Sequence, residues 1–189
     1  KNIPQKAGMG GGSMNAANIL KYLVLRKIIN ISNKEAYQIS NKIGSDVAIG
    51  LQKKNSILFK DKSIARSNIK LNLYVLVVKP KINCSTKEIY KNFENYSKSI
   101  YLGNKKGLFK ISNLIKSSND LEIIVFKIHP IIKKLKIFLS KLPKVTFVRM
   151  TGSGSTIVAY FKSKKSLINA TKIFKRKYKN YWYIKSKTI

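Results

Sequence analysis

The residues with the clearest chemical potential form a glycine-rich segment that leads into a predicted helix. Four of its residues are glycines, and Ser13 follows them as the expected helix cap. Glycine lets a backbone approach a ligand closely, and the free amides at the positive end of a helix attract anions. The Ser13 hydroxyl could also reach a phosphate oxygen or a magnesium ion. We therefore predict a phosphate-binding loop that consists of Pro4, Gln5, Lys6, Ala7, Gly8, Met9, Gly10, Gly11, Gly12, Ser13 and Met14.

Two common nucleotide-binding motifs do not describe this loop. It lacks the Lys-Ser/Thr ending of a Walker motif, and Ser13 stands where a dinucleotide-binding or protein-kinase loop has its last glycine. A flexible turn is the alternative interpretation. We favour the phosphate site, because a turn alone does not require four glycines directly before an amphipathic helix.

Asp46 is the candidate catalytic base. The sequence has 7 Asp and Glu residues against 39 Lys and Arg residues, so we expect each carboxylate to have a partner or a function. Asp46 comes shortly after Gly44, which we expect to end the preceding helix in a left-handed conformation. A carboxylate at this position could accept a hydroxyl proton during phosphoryl transfer, or it could simply cap a turn.

A second glycine-rich turn is predicted between two strands. Its residues offer amides and hydroxyls that could hold a phosphate, although similar turns join strands in many proteins without touching a ligand. Its occurrence together with the first loop favours a binding role for Thr151, Gly152, Ser153 and Gly154. Several aromatic residues could stack on a nucleobase, although near-helical spacing more often indicates core packing; they are Tyr90, Phe93, Tyr96 and Tyr101.

The net charge of +32 raises the alternative of a basic nucleic-acid-binding protein. The lysines, however, are spread along the chain among many Ile, Asn and Tyr residues, which indicates a compositional bias more than one basic face. One cysteine excludes an internal disulfide framework, and one histidine leaves no zinc-ligand set. Charged residues interrupt every apolar run before membrane-spanning length. We expect a cytoplasmic protein that binds no membrane and no specific nucleic acid.

The hydrophobic pattern predicts the α+β class, with a lobe boundary near residue 68. Helices are expected after Ser13 and at residues 33–44, 86–93, 108–115, 121–142 with a break at Pro130, and 163–178. Strands are expected at residues 57–60, 73–78, 145–149 and 156–161 and near Trp182. The last third of the chain therefore has the order strand, turn, strand, helix, strand.

Three motifs together resemble the GHMP kinase superfamily in order and spacing. They are Pro4 to Ala17 (PQKAGMGGGSMNAA), Gly44 to Val47 (GSDV) and Arg149 to Ser155 (RMTGSGS). Within the superfamily, the sequence is most similar to the kinases that act on 4-diphosphocytidyl-2-C-methyl-D-erythritol, a precursor in non-mevalonate isoprenoid biosynthesis. Supporting stretches are Val77 to Pro80, Ser85-Thr86 and Asn119 to Glu122.

The resemblance implies a two-lobed GHMP kinase fold. Residues 1–67 would be a remnant of the amino-terminal, ATP-binding lobe, and residues 68–189 a complete ferredoxin-like carboxy-terminal lobe. It also implies that the first loop binds MgATP, that Asp46 is the catalytic base, and that Thr151 to Gly154 contact substrate or phosphate. Tyr90 would lie against the cytosine ring of the substrate.

The resemblance also implies a longer protein, because the family has an amino-terminal segment before the first loop. That segment carries a catalytic lysine and residues that grip the cytidine. We therefore expect the chain as it stands to be inactive or unstable alone, and an inactive remnant of a GHMP kinase is a further alternative. A monomer and a homodimer are both compatible with the sequence.

Overall fold

The computed structural model describes residues 3–94, 97 and 108–188, which form two compact units. One unit contains residues 10–69, and the other contains residues 3–9 and 70–188. Tyr96 and Tyr101 lie outside the described residues. The assignment of residues 1–67 and 68–189 to two family domains stays a prediction.

The unit of residues 10–69 contains three helices and one hairpin. The helices are α1 (Gly11–Leu25), α2 (Asn33–Ile43) and α3 (Ser45–Gly50), and the antiparallel hairpin consists of β1 (Asn55–Leu58) and β2 (Ile64–Ser67). Helix α3 packs closely on α1, since a Cβ at Gly50 would lie 2.7 Å from Cβ of Ala17. The Arg66 guanidinium of β2 donates to the Ala48 carbonyl at 2.7 Å. These contacts fix the position of α3, which carries Asp46.

Two local expectations in this unit were wrong. Ser13 does not cap α1, because the helix begins at Gly11 after a left-handed Gly10 with φ of 63°. Ser13 is consequently the third helical residue. Gly44 ends α2 in an extended conformation with φ of 165°, not in a left-handed one. The reason is that Gly44 is also the residue before α3, and residues that precede a helix are normally extended.

The unit of residues 3–9 and 70–188 is built on a four-stranded antiparallel sheet. Its strands are β3 (Tyr74–Lys79), β4 (Val145–Met150), β5 (Ile157–Phe161) and β6 (Trp182–Lys187), and their order across the sheet is β4-β5-β3-β6. Its helices are α4 (Thr86–Lys91), α5 (Ile111–Lys116), α6 (Leu121–Ile128), α7 (Pro130–Ser140) and α8 (Lys164–Lys177). This is the ferredoxin-like strand order, and it confirms the predicted α+β class.

Helices α7 and α8 supply much of the core of this unit. Their buried residues recur at helical spacing, at Ile132, Leu135 and Leu139 in α7 and at Leu167, Ala170 and Phe174 in α8. Alternate strand residues meet them, among them Leu76, Val78, Val148, Met150, Ile157, Ala159 and Phe161. No helix in the described part of the chain combines the length and the apolar character needed to cross a membrane.

Candidate active site

Gly8 packs directly against the turn between β4 and β5, which we call the 151–155 turn (Thr151 to Ser155). A Cβ at Gly8 would lie 2.5 Å from the Thr151 carbonyl oxygen and 2.6 Å from the Gly154 carbonyl oxygen. Gly8 also has φ of 66°, a left-handed conformation that favours glycine. The structure therefore brings the first part of the predicted loop into backbone contact with the predicted second turn.

The 151–155 turn is also tied to the segment before and within α4. The hydroxyls of Thr86 and Ser153 share a hydrogen bond of 2.9 Å, and the Ser155 hydroxyl donates to the Ile82 carbonyl. The Thr151 hydroxyl oxygen is buried and has no hydrogen-bond partner among the described residues. The side chains of the turn are therefore mostly committed to neighbouring segments, with the Thr151 hydroxyl as an exception.

Tyr90 is an exposed residue near the end of α4. It comes four residues after Thr86, and residues at this spacing share one side of a helix. Its side chain is 51% exposed, whereas the adjacent Ile89 is fully buried. Tyr90 is therefore a surface aromatic residue, and it does not belong to the core.

Lys79 is a buried residue that sequence reasoning did not select as a site residue. Its ammonium donates to the carbonyls of Pro80 and Ile82, each at 3.1 Å, and to Oδ1 of Asn83 at 3.0 Å. Burial lowers the pKa of Lys79, because the charged form loses its water. Lys79 thus holds the connection from β3 to α4, whose Ile82 carbonyl also accepts the Ser155 hydroxyl.

The rest of the predicted loop, Gly10 to Met14, forms the start of α1. Gly11 and Gly12 have no positive φ, and a Cβ at either residue would meet no heavy atom within 4 Å. The first amides of the helix have no partner within the helix itself, apart from Met14, whose amide donates to the Gly10 carbonyl at 2.9 Å. Met14 also packs beside Gly50, so its side chain has a structural role.

Asp46 is exposed in the first turn of α3. Other carboxylates of the chain hold backbone amides: Glu35 accepts from Ser32, and Asp61 accepts from Ser63. Asp46 caps no amide with its side chain and forms no ion pair with a described residue. Its neighbours Val47 and Ala48 are buried, so the backbone that carries the carboxylate is anchored while the side chain is accessible.

The described residues contain no group of three His, Cys, Asp or Glu side chains that could hold a metal ion. Sequence reasoning also passed over Asn119 and Glu122 as site residues, although both contact the end of β4 beside the 151–155 turn. The signal that could have found Glu122 was the scarcity of acids.

Comparisons with known proteins identify the family of the chain. The family described as GHMP kinases C terminal matches residues 98–180. The 4-diphosphocytidyl-2-C-methyl-D-erythritol kinase of Pelagibacter ubique (strain HTCC1062) is 46% identical over 189 residues, which are 100% of this chain and 67% of that protein. The protein of the same name from Anaplasma phagocytophilum (strain HZ) is 29% identical, with 100% of this chain and 64% of that protein covered.

A crystal structure of 4-(cytidine 5'-diphospho)-2C-methyl-D-erythritol kinase has a similar fold. It superposes with a TM-score of 0.71 at 21% identity and covers 98% of this chain and 68% of that one. The chain thus spans about two thirds of the length of the relatives that it matches. Because 46% identity extends over the whole chain and over 67% of a relative, the chain belongs to the GHMP kinase family.

Proposed function

We propose that the protein is an ATP-dependent kinase that phosphorylates the 2-hydroxyl of 4-diphosphocytidyl-2-C-methyl-D-erythritol in non-mevalonate isoprenoid biosynthesis. The names of the relatives support this substrate. The reaction transfers the γ-phosphoryl group of ATP to the alcohol oxygen, with loss of the hydroxyl proton. Such chemistry depends chiefly on positioning and on the stabilisation of phosphate charge.

The observation that carries the proposal is the presence of two glycines, Gly11 and Gly12, in the first turn of α1. Glycine in a helix costs about 0.5–1 kcal/mol relative to alanine. Neither residue has a positive φ, and neither lies against another group in the described chain. A phosphate that approaches the amides of this helix end would explain both glycines, because a Cβ would occupy its space.

Asp46 is the proposed general base. Its carboxylate is accessible on a short helix that is fixed by Val47 and Ala48, and it is not engaged in capping. A carboxylate that is not already bound can orient a substrate hydroxyl and take its proton. The acceptor substrate is assigned to Tyr90 and to the turn residues Thr151 to Gly154. Tyr90 is exposed for stacking on a cytosine ring.

We expect magnesium to bind together with ATP. Among the described residues, only oxygen atoms would suit it as ligands. Magnesium keeps several waters and is bound largely by substrate phosphates, so a cluster of three protein carboxylates is not required. Ser13, in the first turn of α1, has the hydroxyl that would serve as a protein ligand. When bound, the ion neutralises charge on the phosphates.

We also propose that the protein acts in the cytoplasm. ATP and a reduced, buried Cys84 fit the cytoplasm. The partners are then the two small-molecule substrates, and the lysine-rich surface serves to attract phosphate groups more than a specific nucleic acid. The proposed function is compatible with a monomer and with a homodimer.

The test is phosphorylation of the cytidyl substrate by the full-length protein, with product measured by mass spectrometry. We expect turnover in the parent protein and a fall in kcat of about 100-fold or more in Asp46→Asn, since a general base contributes at least that factor. ATP binding, measured by calorimetry, should be unchanged in Asp46→Asn.

The matched control is Asp61→Asn, which makes the same chemical change at an acid in the turn between β1 and β2. Its kcat should stay near that of the parent. A folded parent protein that binds ATP but leaves the cytidyl substrate unchanged would contradict the proposed substrate. An Asp46→Asn variant with full kcat would contradict the assignment of the base.

A further inference from the structure

The segment Asn119 to Glu122, at the start of α6, forms hydrogen bonds to the end of β4 and to the 151–155 turn. The proposed reaction assigns no role to these bonds. The Asn119 side-chain amide donates to the Met150 carbonyl at 3.0 Å and to the Gly152 carbonyl at 2.8 Å. Its oxygen accepts the Leu121 amide at 3.1 Å. Both amide hydrogens of Asn119 are therefore used, and they hold the two carbonyls on either side of Thr151.

Glu122 also holds the end of β4 through a hydrogen bond and forms an ion pair. Its Oε1 accepts the Met150 amide at 2.8 Å, and its Oε2 pairs with the ammonium of Lys136 in α7. The residue is only 8% exposed, and a buried carboxylate requires a cation and hydrogen bonds to offset its loss of water. Met150 thus has both its amide and its carbonyl held by side chains of one short segment.

The 151–155 turn has few restraints of its own. Within its backbone, the Gly154 amide donates to the Thr151 carbonyl at 2.9 Å, and the Thr151 amide donates to the Thr156 carbonyl at 3.0 Å. Gly152 and Gly154 both have left-handed φ angles, and glycine at these positions leaves many other conformations open to the unrestrained chain. The orientation of the turn therefore depends on groups outside it.

We propose that Asn119 is a positioning residue that sets the orientation of the 151–155 turn for the acceptor substrate, with Glu122 fixing the strand end behind it. This inference rests on the proposed function. The Gly152 carbonyl lies at an exposed position, where water can replace the Asn119 amide, whereas the Met150 carbonyl belongs to a buried residue and would lose its side-chain donor. Loss of Asn119 consequently releases the turn at Gly152 and lowers the stability of the fold at Met150.

The test is Asn119→Asp in the full-length protein, which keeps the shape of the side chain but turns a carboxylate oxygen toward two carbonyls. Two hydrogen bonds are lost, and the KM for the cytidyl acceptor should rise about 10- to 30-fold. The KM for ATP should stay within about twofold of the parent value. A general loss of folded protein would lower the apparent kcat and would not raise the acceptor KM. Asn119→Ala, without the added charge, should shift the acceptor KM in the same direction.

The control is Asn169→Asp, which adds the same charge on the exposed face of α8. It should leave both KM values unchanged. Hydrogen exchange of a peptide that covers residues 146–156 gives a readout without substrate. Exchange at residues 152–154 should be faster in Asn119→Asp than in Asn169→Asp.

The outcomes separate the two proposals. Unchanged exchange, or an unchanged acceptor KM in an active protein, overturns the positioning role of Asn119. A parent protein that does not phosphorylate the acceptor overturns the proposed function and the acceptor-binding part of this inference. In that case faster exchange in Asn119→Asp would still support the restraint of the turn by Asn119.

Discussion

The two halves of the glycine-rich loop need glycine for different reasons. Gly8 is enclosed by the 151–155 turn, and its missing side chain lets two backbones meet. Gly10 has nearly the same φ, 63° against 66°, but a Cβ there would meet nothing within 4 Å. Gly11 and Gly12 are open as well and have no left-handed φ. Packing thus explains glycine at position 8 and backbone conformation explains it at position 10, while the fold explains neither Gly11 nor Gly12.

A glycine-rich motif therefore combines separable requirements. Internal packing accounts for Gly8, and backbone conformation accounts for Gly10. A residue such as Gly12, for which neither holds, points to a ligand outside the polypeptide. Substitution by alanine can test each requirement, because the added methyl group is the same at every position.

The largest expected effect is that of Gly8→Ala. The methyl group would overlap the carbonyls of Thr151 and Gly154, and the left-handed conformation adds strain, so we expect a loss of about 2–4 kcal/mol in the free energy of unfolding. Gly10→Ala is the matched control. It carries the same strain without the overlap and should lose only about 1 kcal/mol. Chemical denaturation of the full-length protein measures both values.

Equal losses in these two variants would contradict the packing role of Gly8. They would mean that conformational strain alone accounts for glycine at both positions. A larger loss in Gly8→Ala would attribute the difference to the contact with the 151–155 turn.

Smaller effects are expected for Gly11→Ala and Gly12→Ala. Unlike the substitutions at Gly8 and Gly10, these two should increase stability. Alanine favours the helix, so each substitution should raise the free energy of unfolding by about 0.5 kcal/mol. ATP affinity should fall about tenfold, which corresponds to about 1.4 kcal/mol, because the methyl group excludes the phosphate. Calorimetry with ATP and denaturation measure the two quantities. Variants that bind ATP as well as the parent would remove the main support for the phosphate site.

Much of the fold was predictable because the local pattern of apolar and polar residues determines where many of its helices and strands lie. The apolar run in β3 and the helical spacing in α7 and α8 correspond to the buried residues of these elements. The strand β2 was not predicted, because Ile64 to Ser67 is short and only half-buried, and its pairing with β1 is what defines it. The start of α1 was misplaced because glycine has a low helix propensity, although the first turn tolerates it.

The candidate site was predictable at the level of motifs but not of contacts. The sequence indicates the loop, Asp46 and the 151–155 turn, since glycines and scarce acids stand out in a lysine-rich chain. That Asn119 reaches two carbonyls some 30 positions away depends on where α6 meets the end of β4. Similarly, the three acceptors of Lys79 lie on a connection whose path only the folded chain defines.

The smallest expected effect is a change in the reactivity of Cys84, which depends on the packing of Gly8 against the 151–155 turn. Its sulfur would lie 3.3 Å from a Cβ at Gly154, and the residue is 3% exposed. Burial raises the pKa of the thiol, with a smaller opposing effect of Lys79. Less thiolate is therefore present at neutral pH than in an unfolded chain, and alkylation should be slower than in the unfolded chain.

Iodoacetamide labelling, followed by mass spectrometry of the peptide that contains Cys84, measures this rate against pH. In the parent protein the rate should increase with pH, with a midpoint above the ordinary pKa of cysteine, because the thiolate is the reacting form. Gly8→Ala should speed labelling by displacing the turn from Cys84, whereas Gly10→Ala should not. A midpoint at or below the ordinary value would mean that Lys79 outweighs burial, and equal labelling in both variants would separate Cys84 from the contact between Gly8 and the turn.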